Sequence, residues 1–155
     1  ALTVFDTGWD PDNWRGGAGQ EVLAILPSVD IFLPNEPEAQ ALTGEPDPET
    51  AAESLQRLCG GWVVVKLAER GLVARGPEGE RLRLAAPPVV AKDTTGAGDS
   101  LAAGMLAELI EQDDMSRALA TGVRVASTVI GRDSLARYPA RDELLLGAGP
   151  HTAPS

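Results

Sequence analysis

The sequence predicts an α/β fold in which a largely parallel sheet is flanked by helices on both faces. Three observations carry that expectation. Apolar runs of strand length alternate with stretches of helical periodicity along most of the 155 residues. The breaks between them fall at glycine and proline clusters of turn type. One pair of apolar runs flanks Gly76-Pro77-Glu78-Gly79, a hairpin signal that adds a local antiparallel element. The length suits a single globular domain with one core.

Each element follows from local chemistry. Leu2-Thr3-Val4-Phe5 reads as a strand ending at Asp6-Thr7-Gly8 and the turn-rich Asp10-Pro11-Asp12-Asn13. Gln20 to Leu26 reads as a short helix closed by Pro27, and Val29 to Leu33 as a buried strand. Asn35 with Glu38 opens a helix that stops at Gly44, since side chains three apart can satisfy each other's backbone amides. Asp47-Pro48 starts a further helix with Leu55, Leu58 and Cys59 on one face. Gly60-Gly61 breaks the chain before the strand Trp62 to Val65, and the hairpin strands are Leu72 to Arg75 and Arg81 to Leu84. After Pro87-Pro88, a glycine-rich loop at 93 to 99 feeds a helix with Leu101, Met105, Leu106 and Leu109 at core-facing spacing. Another helix runs from about Asp114 to Val129, a last short one starts near Pro139, and residues 147–155 read as a loose tail.

Composition excludes several classes of function. Twenty-three acidic against thirteen basic residues leave a net charge of −10, which disfavours nucleic acid and anionic membranes as partners. No apolar run approaches the roughly 20 residues that cross a bilayer, and no export signal is visible, so the expected location is cytoplasmic. The single Cys59 cannot form an internal disulfide and reads as a core filler beneath a helix. A phosphate ligand would therefore need aimed backbone N–H groups, local cations or a divalent metal.

The segment Asp93-Thr94-Thr95-Gly96-Ala97-Gly98-Asp99-Ser100 meets that need. Small residues let a phosphate approach the backbone, and the helix behind them offers unpaired amides and the positive end of its dipole. Asp99, in the first turn, is placed either as a general base toward a hydroxyl or, with Ser100, as a simple helix cap. Spacing alone leaves both readings open.

This run resembles the second signature of the ribokinase, or PfkB, family of carbohydrate kinases. The resemblance implies a ribokinase-like fold, an anion hole at Gly96, Ala97 and Gly98, and Asp99 as catalytic base. It also implies that Asp93 and Thr95 help hold a monovalent cation. Leu33-Pro34-Asn35-Glu36-Pro37-Glu38 is similar to the family's Asn-x-x-Glu motif, which assigns Asn35 and Glu38 to a hydrated Mg²⁺ as well as to the cap. Val64-Val65-Lys66-Leu67-Ala68-Glu69-Arg70-Gly71 resembles the strand and loop that reach the nucleotide, with Ala68 where members often carry Gly. Lys66 and Gly71 are its candidate nucleotide-binding residues, against readings as a surface charge and a turn former. Near the end the pattern departs. Asp133-Ser134-Leu135-Ala136-Arg137-Tyr138-Pro139 lacks the usual Gly-Ala and Ser, and Arg137 stands where its guanidinium would supply the cation's charge, or would be a surface arginine.

The implied activity is phosphoryl transfer from MgATP to a hydroxyl of a sugar or sugar derivative. A nucleoside or vitamin-precursor kinase and a noncatalytic nucleotide-binding remnant remain alternatives. Residues 1–146 read as the ATP-binding, catalytic half of the family domain. The family's sugar-gripping element and β-sheet lid have no counterpart in the sequence, so this chain alone is expected to be inactive. Its expected partners are a sugar and ATP, with a homodimer as an admissible assembly.

Overall fold

Ile31, Phe32, Val63, Val64 and Val65 are almost wholly buried and form the middle of a sheet. The computed structural model describes residues 1–8, 10–12, 14, 17–133, 138–140 and 142–143. They fall into two compact units, Ala1–Ala85 and Ala86–Ser155.

The first unit holds five strands in the order β1-β2-β3-β4-β5. Strands β1 (Val4–Phe5), β2 (Ile31–Phe32) and β3 (Trp62–Lys66) run parallel, with Val4 opposite Ile31 and Ile31 opposite Trp62. Strands β4 (Leu72–Arg75) and β5 (Arg81–Leu84) add antiparallel, so a parallel body carries the expected hairpin at one edge. Successive strand residues point to opposite faces, and Val63, Val64 and Val65 are all buried, so both faces of β3 are covered. Phe5 stacks on Phe32 with ring centroids 5.6 Å apart. Leu26, Phe32, Leu55, Leu67 and Val73 belong to one core cluster.

Helices α1 (Ala18–Ile25), α2 (Glu36–Thr43) and α3 (Pro48–Gln56) flank this sheet. A 3₁₀ turn at Leu26–Ser28 absorbs Pro27, which lies two residues past the end of α1. Asp47 caps α3 by accepting the Thr50 amide at 2.8 Å. That amide, with the Thr50 hydroxyl, holds the Asp47 carboxyl below its ordinary pKa. One packing expectation is corrected. Because α3 ends at Gln56, Leu58 lies beyond its last turn and is 46% exposed, whereas Leu55 and Cys59 are buried. The Cys59 thiol donates to the Val29 carbonyl at 3.1 Å, and burial pushes its pKa up.

In the second unit, α4 (Ala97–Gln112) and α5 (Met115–Gly131) form a helical hairpin. Asp114 caps α5 by accepting the Arg117 amide at 3.1 Å. The helices cross at two glycines. A Cβ on Gly104 would lie 2.6 Å from Val125 Cγ2, and one on Gly122 would lie 2.6 Å from the Leu101 carbonyl oxygen. Leu101 and Met105 are buried at this contact, while Leu106 and Leu109 are only half-buried. Arg137 and the tail at 147–155 lie outside the described residues, as does most of the short helix expected near Pro139. Among the described residues no helix is long and apolar enough to cross a membrane.

Candidate active site

Polar residues gather where the parallel strands of the first unit end. Asp6 follows β1, Asn35 follows β2, and Lys66 closes β3. Lys66 donates its amide to the Pro34 carbonyl at 2.9 Å and bridges Asn35 in parallel register. In parallel sheets this carboxyl end is where ligands bind. The Lys66 ammonium forms an ion pair with Asp6, and the lysine side chain is only 14% exposed. It is therefore not a solvated surface charge but a paired cation at the strand end.

Asn35 and Glu38 form the expected capping box. Asn35 Oδ1 accepts the Glu38 amide at 2.9 Å, and Glu38 Oε2 accepts the Asn35 amide at 2.8 Å. Glu38 is 3% exposed. These bonds use one oxygen of each side chain, leaving Glu38 Oε1 and the Asn35 side-chain NH₂ for other partners. Among the described residues no three His, Cys, Asp or Glu side chains converge as a metal cage. The open oxygen of the Glu38 carboxylate is compatible with a hydrated Mg²⁺, an ion that keeps most of its water.

Loop 67–71 follows β3. Leu67 donates to the Gly71 carbonyl at 2.8 Å, and a 3₁₀ turn spans Ala68–Arg70. Gly71 adopts φ 91°, so its turn-forming role is realised here. The Arg70 guanidinium forms an ion pair with Glu36, the first residue of α2.

The glycine-rich loop of the second unit meets α4 as the sequence suggested. Gly96 is the N-cap residue at φ 75° and has no side chain to cap with. A residue with a Cβ would be strained there. The Ala97 amide is taken by the Thr94 carbonyl at 3.2 Å, and Ser100 closes on the Gly96 carbonyl through both its amide and its hydroxyl. The amides of Gly96, Gly98 and Asp99 find no acceptor among the described residues. Asp99 is exposed in the first turn, and its carboxylate caps nothing. The simple-cap reading therefore fails for Asp99, whereas Ser100 does bond locally. Asp93 accepts the Thr95 amide at 2.9 Å, and its own amide reaches the Ile130 carbonyl at 3.4 Å. Lys92 pairs with Asp133 at 2.9 Å.

Sequence reasoning missed the Asp6–Lys66 and Glu36–Arg70 pairs. Their partners lie 60 and 34 residues apart, and no local spacing rule joins them.

Residues 1–141 match the pfkB family carbohydrate kinases. An ATP-dependent 6-phosphofructokinase of Thermoanaerobacterium thermosaccharolyticum is 31% identical over 129 residues, covering 81% of this chain and 39% of that protein. A ribokinase of Thermotoga maritima superposes with a TM-score of 0.77 at 28% identity, over 94% of this chain and 48% of its own. An Arabidopsis thaliana ribokinase complexed with ribose and ATP gives a TM-score of 0.72 at 27% identity, over 80% and 42%. The chain thus spans less than half the length of each of these proteins. Along its own length, sequence and backbone agree on one lineage, and the chain belongs to the pfkB family of carbohydrate kinases.

Proposed function

We propose that this chain carries the machinery for phosphoryl transfer from MgATP to a hydroxyl of a sugar or sugar derivative. The observation that carries the reading is the start of α4. There an exposed carboxylate at Asp99 stands directly behind the amides of Gly96 and Gly98, and none of the three has a partner among the described residues. The solved relative holding ribose and ATP supports the same chemistry.

Asp99 is assigned as general base, accepting the proton of the attacking hydroxyl. The amides of Gly96 and Gly98, joined by that of Asp99 itself, stabilise charge on the transferring phosphoryl, with the α4 dipole behind them. Ala97 supplies the small side chain between them rather than a donor, since its amide is engaged. When bound, Mg²⁺ would neutralise phosphate charge. Glu38 and Asn35 would hold its water shell, and Lys66 and the turn at Gly71 would face the nucleotide phosphates. Asp93 and Thr95 are assigned to a monovalent-cation site beside the loop.

The test is Asp99→Asn in the complete enzyme. Turnover is expected to fall by about 10²- to 10⁴-fold, the scale of a lost general base, with MgATP affinity near the parent value. Turnover within threefold of the parent would remove Asp99 from the role.

A further inference from the structure

We propose that the Glu36–Arg70 ion pair is a strap that sets the position of loop 67–71 for nucleotide, making both residues positioning residues of the site. The inference rests on the reading of that loop as nucleotide-binding, and it begins with strain. Ala68 sits at φ 53° and Gly71 at φ 91°. Alanine avoids the left-handed region, because its Cβ crowds the following carbonyl oxygen. Ala68 is also exposed, so core packing does not impose the conformation. Such a backbone persists only where its surroundings over-determine it.

The loop's own hydrogen bonds, Leu67 to Gly71 at 2.8 Å and Arg70 to Leu67 at 3.1 Å, close it on itself without fixing where it points. Two ion pairs do that. Lys66–Asp6 fixes the strand end entering the loop, and Arg70–Glu36 fixes the far side. Glu36 is a good anchor. It lies in the first turn of α2, where the helix dipole favours a carboxylate, and directly follows Asn35 of the capping box. The strap therefore joins the loop to the helix start that carries Asn35 and Glu38. Glu36 is 24% and Arg70 49% exposed, so the pair adds little to global stability and its effect is local.

The experiment compares Glu36→Gln, Arg70→Met and the double variant in the full chain, by amide hydrogen exchange, urea denaturation and MgATP titration. Each single variant should speed exchange at Arg70 and Gly71 by about tenfold, with the urea midpoint unchanged. Each should also weaken MgATP binding by about fivefold, the cost of a misplaced contact, and the double variant should be no worse than either single. Unchanged exchange, or effects that multiply in the double variant, would overturn the strap. Faster exchange with MgATP affinity unaltered would overturn its role toward nucleotide. A parent chain that fails to bind MgATP would instead overturn the nucleotide reading of the loop, while exchange would still report the strap.

Discussion

Ala68 shows how much one residue can decide. Members of the family that the sequence resembles often carry glycine there, and the structure gives the reason in the left-handed φ of 53°. Holding alanine in that region costs about 1–2 kcal/mol, while glycine loses about 0.5–1 kcal/mol more backbone entropy on folding. The difference favours glycine. Ala68 is exposed, so no packing is lost on substitution. Ala68→Gly is accordingly expected to stabilise the chain by roughly 0.5–1 kcal/mol in urea denaturation. A destabilised variant would show that the strain is relieved by contacts of the methyl group. Legibility at this scale divides by range. The Asn35–Glu38 capping box could be read because its chemistry is set within one helical turn. Lys66 could not, because the carboxylate that pairs with it comes from a strand 60 residues earlier.

Whole elements were legible wherever turn chemistry punctuated them. The hairpin strands, the capping box of α2 and the Asp caps of α3 and α5 all stand where glycine, proline and aspartate placed them. What no local rule revealed is the charge network fastening α3 to the hairpin. Glu49 accepts from Arg75 at 3.0 Å and from Arg83 at 2.8 Å, and Glu53 takes Arg81 at 2.7 Å. Arg75 is 5% exposed, and its Nε stands 3.6 Å from Glu53 Oε1, an ion-pair separation without a hydrogen bond. A guanidinium so buried depends on these two carboxylates. Hydrogen bonds from Arg83 and then Arg75 hold the Glu49 carboxyl below its ordinary pKa. A carboxylate depressed in the folded state contributes stability above its unfolded pKa of about 4.3, and that contribution is lost as pH falls through the folded value. Glu49→Gln should therefore lower the urea midpoint at pH 7, with the parent and variant curves converging below about pH 4.3. Curves that stay parallel down to pH 3 would show that Glu49 acts by shape rather than by charge.

At the scale of the whole molecule, the proposed function sets a net charge of −10 against a ligand as anionic as ATP. General attraction does not favour binding, since the field of the protein repels free nucleotide. Among the described residues of the first unit, the cations at the strand ends are already paired, Lys66 with Asp6 and Arg70 with Glu36. On the proposed function, two local terms favour binding. One is the set of open amides at the start of α4, which carry partial positive charge at no net cost to the count. The other is a divalent metal arriving with the nucleotide, which would reduce the ligand's charge and, as proposed above, be met by Glu38. The second term makes a demand that the first does not, namely that metal-free ATP should bind much more weakly than MgATP. A ligand bound only by the folded state stabilises it by about 2.7 kcal/mol at a hundredfold excess over its Kd. For a chain of this size, that corresponds to a rise in Tm of roughly 5–10 °C. MgATP should produce that rise in the parent chain and in Asp99→Asn alike, since the base takes no part in holding nucleotide. ATP with a chelator should produce less than a third of it. An equal rise without metal would mean that the α4 amides alone hold the phosphates and that Asn35 and Glu38 serve only as a cap.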